Sequence, residues 1–111
     1  MKVITIDKTE ALTAIDVNTG KYIGNKDLEE TVYNTNKEAS IEIAKQLRLR
    51  DIGGIIIVDY IDMKEDKNKE KILKLLKDLF KEDRTRCQVA GFTELNLLEM
   101  TRKNMCSNEE Y

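Results

Sequence analysis

The stretch Gly54-Ile55-Ile56-Ile57-Val58-Asp59 leaves the chain little freedom. Four consecutive β-branched apolar residues, bounded by glycine and aspartate, read as a strand that is apolar on both faces and therefore central in its sheet. A second stretch, Leu12-Thr13-Ala14-Ile15-Asp16-Val17-Asn18, has the same design: short, apolar and acidic near its C-terminal end. Sites in α/β proteins gather outside the carboxyl ends of strands. If the two strands are neighbours, Asp16 and Asp59 meet at one edge of the sheet with Asn18 close by. That is an oxygen-rich place suited to Mg²⁺.

Composition narrows the chemistry. A chain of 111 residues supports one domain with one core. Acidic and basic residues almost cancel, leaving −2, so bulk charge is not the means of holding a polyanion. No apolar run approaches the roughly 18 residues of a membrane span, and the N-terminus enters an alternating strand pattern rather than a signal peptide. Cys87 and Cys106 lack metal-ligand spacing and fit a reduced, cytoplasmic chain. The absence of histidine removes imidazole catalysis and histidine metal sites. Acid–base or metal chemistry must run on carboxylates, lysines, hydroxyls or water.

Taken in order, residues 1–7 alternate as a half-buried strand, which a turn joins to a strand over 11–18. Leu12, Ala14, Asp16 and Asn18 share one face of that strand. Residues 19–26 read as a loop carrying Lys21, Tyr22 and Lys26. Asp27, with Glu30 three residues on, forms a capping-box pattern for a helix reaching about Arg50, with Gly53 and Gly54 as its stop. Leu28, Val32, Ala39, Ile43 and Leu47 supply its apolar stripe. Asn34, Thr35 and Asn36 interrupt it with poor helix formers. After the central strand comes a charged helix over 66–82, then a strand over 86–92. A last helix over 93–103 has Thr93 as N-cap and Leu97, Leu98 and Met100 turned inward. The order β-β-α-β-α-β-α predicts an α/β fold, a mixed sheet flanked by helices. Residues 105–111 form a polar tail.

Each candidate also has a structural reading. Asp16 could sit in an ion pair, Asp59 could cap a strand, and Asn18 could serve an ordinary turn. Asp62 suits the N-cap of the charged helix, whose lysines suit a solvated face. Arg84 and Arg86, like Arg48 and Arg50, suit surface salt bridges as well as phosphate contacts. Tyr22, Tyr33 and Tyr60 could stack on bases but suit core packing better, and Cys87 reads as an inert buried thiol. A carboxylate pair holding Mg²⁺ would lower the pKa of a bound water and offset charge developing at phosphorus. That is phosphodiester hydrolysis without histidine.

Longer strings carry a resemblance. Leu12 to Gly20, Glu30-Thr31, Asn34-Thr35-Asn36, Ile43 to Gly54, Val58 to Met63, Asp83 to Arg86 and Leu97 to Arg102 together resemble the RNase E/G family of bacterial endoribonucleases, over about residues 1–104. The resemblance implies the DNase I-like subdomain of the catalytic half, with metal-binding aspartates at Asp16 and Asp59 and an active-site asparagine at Asn18. It implies Mg²⁺-dependent cleavage of single-stranded RNA in a bacterial cytoplasm, with Mn²⁺ as a substitute metal. Products would be a 5′-phosphate and a 3′-hydroxyl. Lys21, Arg84 and Arg86 become candidate RNA contacts. The chain is far shorter than the family's catalytic half, as expected of an excised or truncated piece. It lacks the S1, RNase H-like and 5′-sensor parts and the cysteine pair of the zinc-link. A competing expectation is a non-catalytic module that self-associates into a homo-oligomer through exposed surfaces.

Overall fold

The computed structural model describes residues 4–17 and 29–103. Strands β1 (Ile4–Lys8) and β2 (Thr13–Val17) lead into helix α1 (Glu29–Leu49), strand β3 (Gly54–Asp59), helix α2 (Asp66–Phe80) and strands β4 (Cys87–Phe92) and β5 (Leu98–Arg102). The strands form one sheet in the order β1-β2-β3-β5-β4. β2 and β3 are parallel, and α1 provides the crossover that a parallel pair needs. All other neighbours are antiparallel.

One sheet face makes the core. Ile4, Ile15, Val17, Ile56, Val58, Leu98 and Met100 point to the helices and meet Ala39, Ile43 and Leu47 of α1 and Ile72, Leu76 and Phe80 of α2. The opposite face carries Thr5, Asp7, Ala14, Asp16, Ile55, Asp59, Glu99 and Thr101, all exposed. The mixed sheet with helices is as the sequence predicts, and β3 is central. Its second apolar face is nevertheless uncovered: Ile55 is 50% exposed.

Local chemistry sets the ends of the elements. Thr9 closes the β1–β2 hairpin, its hydroxyl accepting from the Ala11 and Leu12 amides and donating to the Leu12 carbonyl. α1 stops at a Schellman turn. The Ile52 amide donates to the Leu47 carbonyl and the Asp51 amide to that of Arg48, with Asp51 at φ 49°. The stop is therefore Asp51, a residue type that tolerates the left-handed region, and not the following glycines. α2 begins after Glu65, which makes no side-chain cap. Asp62 is exposed and does not cap it. That role belongs to Glu29 from α1, whose carboxylate accepts from the Lys64 and Glu65 amides and from Asn68 Nδ2 at 2.7–3.2 Å.

The last expected helix is a strand. Residues Leu98–Arg102 alternate, with Leu98, Met100 and Arg102 buried and Glu99 and Thr101 exposed. The order is thus β-β-α-β-α-β-β. Thr93 caps a hairpin loop instead, its hydroxyl accepting from the Leu95 and Leu97 amides, with Asn96 at φ 63°. The Leu97-Leu98-Met100 spacing fits a helix or a strand at such short length. A charged residue at the third inward position hid the alternation. Arg102 is accommodated because its guanidinium forks onto Asp83 (2.9 and 3.1 Å) and reaches Asp51 and the Ile52 carbonyl at 3.1 Å. No helix among the described residues is long and apolar enough to cross a membrane.

Candidate active site

β2 and β3 run in the same direction with Asp16 and Asp59 as register partners. Burial dictates where their side chains go. Ile15 and Val17 turn inward on β2, and Ile56 and Val58 on β3, so strand alternation puts both aspartates on the open face. Thr5 of β1 pairs with Asp16 on its other side. A shallow depression of about 400 Å³ holds both aspartates and is walled by Thr5, Ala14, Ile57 and Leu97.

The electrostatics are those of a like-charge pair. Partial burial and the neighbouring Asp59 charge both push the Asp16 carboxyl above its ordinary value. Asp7 and Glu99 lie one row away on the same face, as register partners of Ala14 and Ile57. Among the described residues no lysine or arginine forms an ion pair with Asp16 or Asp59. Nor does any group of three or more Cys, Asp or Glu make a closed metal cage there. Two oxygen-donor carboxylates without a described counter-charge suit a hard divalent cation of the Mg²⁺ type, which takes one or two protein carboxylates and completes its shell with water and substrate oxygens.

Behind the pair lies a buried polar clamp. Asn36, fully buried on α1, donates from Nδ2 to the Ile61 carbonyl at 2.9 Å and accepts the Ile61 amide on Oδ1 at 3.1 Å. Ser40 Oγ donates to the Asn36 carbonyl and shares a 2.6 Å hydrogen bond with the Tyr60 hydroxyl, which must then be the donor between them. Burial drives the Tyr60 phenol far above its ordinary pKa, so it stays neutral. Tyr60 is buried in the core, and Tyr33 is half-buried against it with Lys71 Nζ 5.2 Å from its ring centroid. The readable signal for the clamp was Asn36 and Ser40 following Val32 at helical spacing, polar residues on the stripe that faces the core.

The arginine candidates are not gathered at the pair. Arg84 and Arg86 are exposed at the opposite end of the sheet, where Lys103 donates its amide to the Arg86 carbonyl. The length of β3, about 17 Å at the usual rise per residue, separates that end from Asp59. Asn18 and Lys21 lie outside the described residues, as do Tyr22, Asp27 and Cys106. Cys87 is half-buried. Burial, followed by the Asp83 charge, pushes its thiol up to about 11, which leaves it inert. Lys67 and Lys74 of α2, with Lys81 just beyond it, pair with Glu65 and Asp78 as a solvated face.

Comparison with known proteins bears on this arrangement. The model of the Ribonuclease E/G family matches residues 2–105. Ribonuclease G of Haemophilus influenzae is 48% identical over 108 residues, 97% of this chain and 22% of that protein. Ribonuclease G of Escherichia coli K12 is 45% identical over the same share of both. Ribonuclease E of Escherichia coli K12 is 46% identical over 102 residues, 92% of this chain and 10% of that protein. The chain thus spans about a fifth or less of the length of these relatives. With nearly all of its residues matched, the chain belongs to the Ribonuclease E/G family.

Proposed function

We propose that this chain carries the metal-binding and catalytic carboxylates of a divalent-metal-dependent endoribonuclease acting on single-stranded RNA. The observation that carries the reading is the register pairing of Asp16 with Asp59 on an open sheet face, in a chain similar to proteins named ribonuclease G and ribonuclease E. Asp16 and Asp59 hold Mg²⁺, with Mn²⁺ as substitute, and Asn18 joins them in the site. When bound, the cation supplies charge neutralisation at the phosphodiester and acidifies water. The carboxylates fix its position, and their combined charge repels RNA from any register in which no cation intervenes. The depression is shallow, which admits a single strand and disfavours enclosure of a small molecule.

Strand alternation supports one path for the RNA. Arg86 and Lys103 are exposed one residue beyond the strand ends at Cys87 and Arg102, which turn inward, so alternation carried on by one residue would put both on the face of the aspartates. A single strand lying along β3 would run from this basic end, with Arg84 and Arg86 on its phosphates, to the acidic end at Asp16 and Asp59. Lys21 adds a further phosphate contact.

The test is cleavage of matched RNA and DNA oligonucleotides in Mg²⁺ by the wild type, Asp16→Asn and Asp59→Asn. RNA cleavage lost in both variants is expected. DNA cut in preference would overturn the substrate class. No cleavage, together with concentration-dependent association that ignores both substitutions, would favour the second reading, a self-associating module. That reading draws on exposed Ile55.

A further inference from the structure

The sheet stops holding β3 where the chemistry begins. The ladder to β5 ends at Val58 opposite Leu98, and the ladder to β2 ends at Asp59 opposite Asp16. Asp59 is therefore the last residue of its strand, gripped from one side only, in the position where strands fray. The next two residues are held by α1 instead. Tyr60 is held through its hydroxyl by Ser40, and Ile61 through both of its backbone polar groups by the Asn36 amide. Asn36 and Ser40 are each completely buried. Together they form a chain of satisfied hydrogen bonds from the body of the helix to the exit of β3. An asparagine facing the core of a helix is a poor choice for packing alone. It is the right shape for gripping a peptide unit by its N–H and C=O at once.

We propose that Asn36, supported by Ser40 and Tyr60, is a positioning residue that sets Asp59 against Asp16 by clamping the backbone immediately beyond the end of the ladder. Asn36 touches neither carboxylate; it acts through the Ile61 peptide. The consequence for metal binding rests on the reading of the aspartate pair given above. The consequence for the backbone does not.

The experiment compares Asn36→Ala, Asn36→Asp and Ile72→Val in the full chain. Ile72→Val is a core change on α2 that touches none of the hydrogen bonds of the clamp. Amide exchange is followed by NMR without metal, and Mn²⁺ affinity by paramagnetic broadening. Removing a buried hydrogen-bonding partner corresponds to about a tenfold change or more. In Asn36→Ala, exchange at Asp59, Tyr60 and Ile61 should accelerate by about that factor relative to Ile56 and Val58, and Mn²⁺ affinity should fall by a similar factor. Asn36→Asp keeps an oxygen for the Ile61 amide but turns a buried carboxylate onto the Ile61 carbonyl, so at neutral pH it should not restore the exchange protection. Ile72→Val should leave both ratios unchanged. Uniform acceleration along β3, as for any loss of global stability, would overturn the proposal. So would Mn²⁺ affinity that falls no further than in Ile72→Val. If Asn36→Ala does not fold, Tyr60→Phe decides, with selective loosening at Asp59–Ile61 in support and a uniform pattern against. A wild type that binds no Mn²⁺, or binds it regardless of Asp16→Asn, would remove the metal site, while the metal-free exchange pattern would still decide the clamp.

Discussion

Asp83 and Asp16 show how one residue type takes opposite roles in one sheet. Burial alone would raise the Asp83 carboxyl, but the Arg102 guanidinium and the Thr85 hydrogen bonds outweigh it and hold the group below its ordinary value. Both side chains of the Asp83–Arg102 pair are almost completely buried. Asp83→Ala removes two charge-assisted bonds and leaves the guanidinium with Asp51 and the Ile52 carbonyl, so it should cost about 1.5–3 kcal/mol in a urea titration. The pH sign follows from the lowered value. Stability from Asp83 is fully present above the unfolded-state carboxyl pKa and is lost as pH falls through the folded one. Asp16 runs the other way. Its raised value means the folded state keeps the proton longer, so its contribution is best at acid pH and declines as pH rises through that value. Asp16→Asn should therefore raise the melting temperature modestly at neutral pH, with the gain vanishing on acidification. A variant less stable than wild type at neutral pH would contradict the like-charge pair.

At the scale of elements, two joints carry specific expectations. α2 relies on Glu29 from another helix, and the hydrogen bonds from Asn68 and the Lys64 and Glu65 amides keep that carboxyl low despite its burial. Glu29→Gln should cost about 0.5–1 kcal/mol and loosen exchange in the first turn of α2 before the last. The β4–β5 ladder shifts register between Val89 and Gly91, and Gly91 sits at φ 128°. Nothing lies within 4 Å of where a Cβ would stand. Gly91→Ala should still cost about 1–3 kcal/mol, purely from backbone conformation, and a neutral result in thermal melts would show that the bulge relaxes. Which elements could be read in advance follows from the same physics. β2, β3, α1 and α2 announce themselves by apolar runs and periodicity. β5 does not, because Arg102 occupies a core position that only the distant Asp83 and Asp51 make tolerable. The Asp51 stop and the Glu29 cap are likewise long-range or conformational choices that local sequence does not display.

For the whole molecule, the sheet has one covered face and one that is bare among the described residues, and Asp16 and Asp59 are on the bare one. The pairing of Asp16 with Asp59 was legible because each aspartate interrupts an apolar strand. The clamp behind it left only a partial trace, polar Asn36 and Ser40 on the core-facing stripe of α1, since the partner of Asn36 is a backbone unit with no sequence signature. Ile55, exposed on the bare face near the start of β3, makes a concrete expectation. If that face meets protein, Ile55→Lys should abolish concentration-dependent association in sedimentation without changing the melting temperature by more than a few degrees. If it meets only RNA, association should be absent in the wild type as well.

The order of strands has a consequence for how the chain comes together. β1 with β2, and β4 with β5, are hairpins that close over short loops, whereas β3 joins the two only through pairings distant in sequence. Long-range pairings of that kind form late. Asp16 belongs to one hairpin and Asp59 to the joining strand, so the two carboxylates are strangers until the final closure. A half-made chain carries both residues and neither function: whatever chemistry the pair performs is withheld until folding is complete.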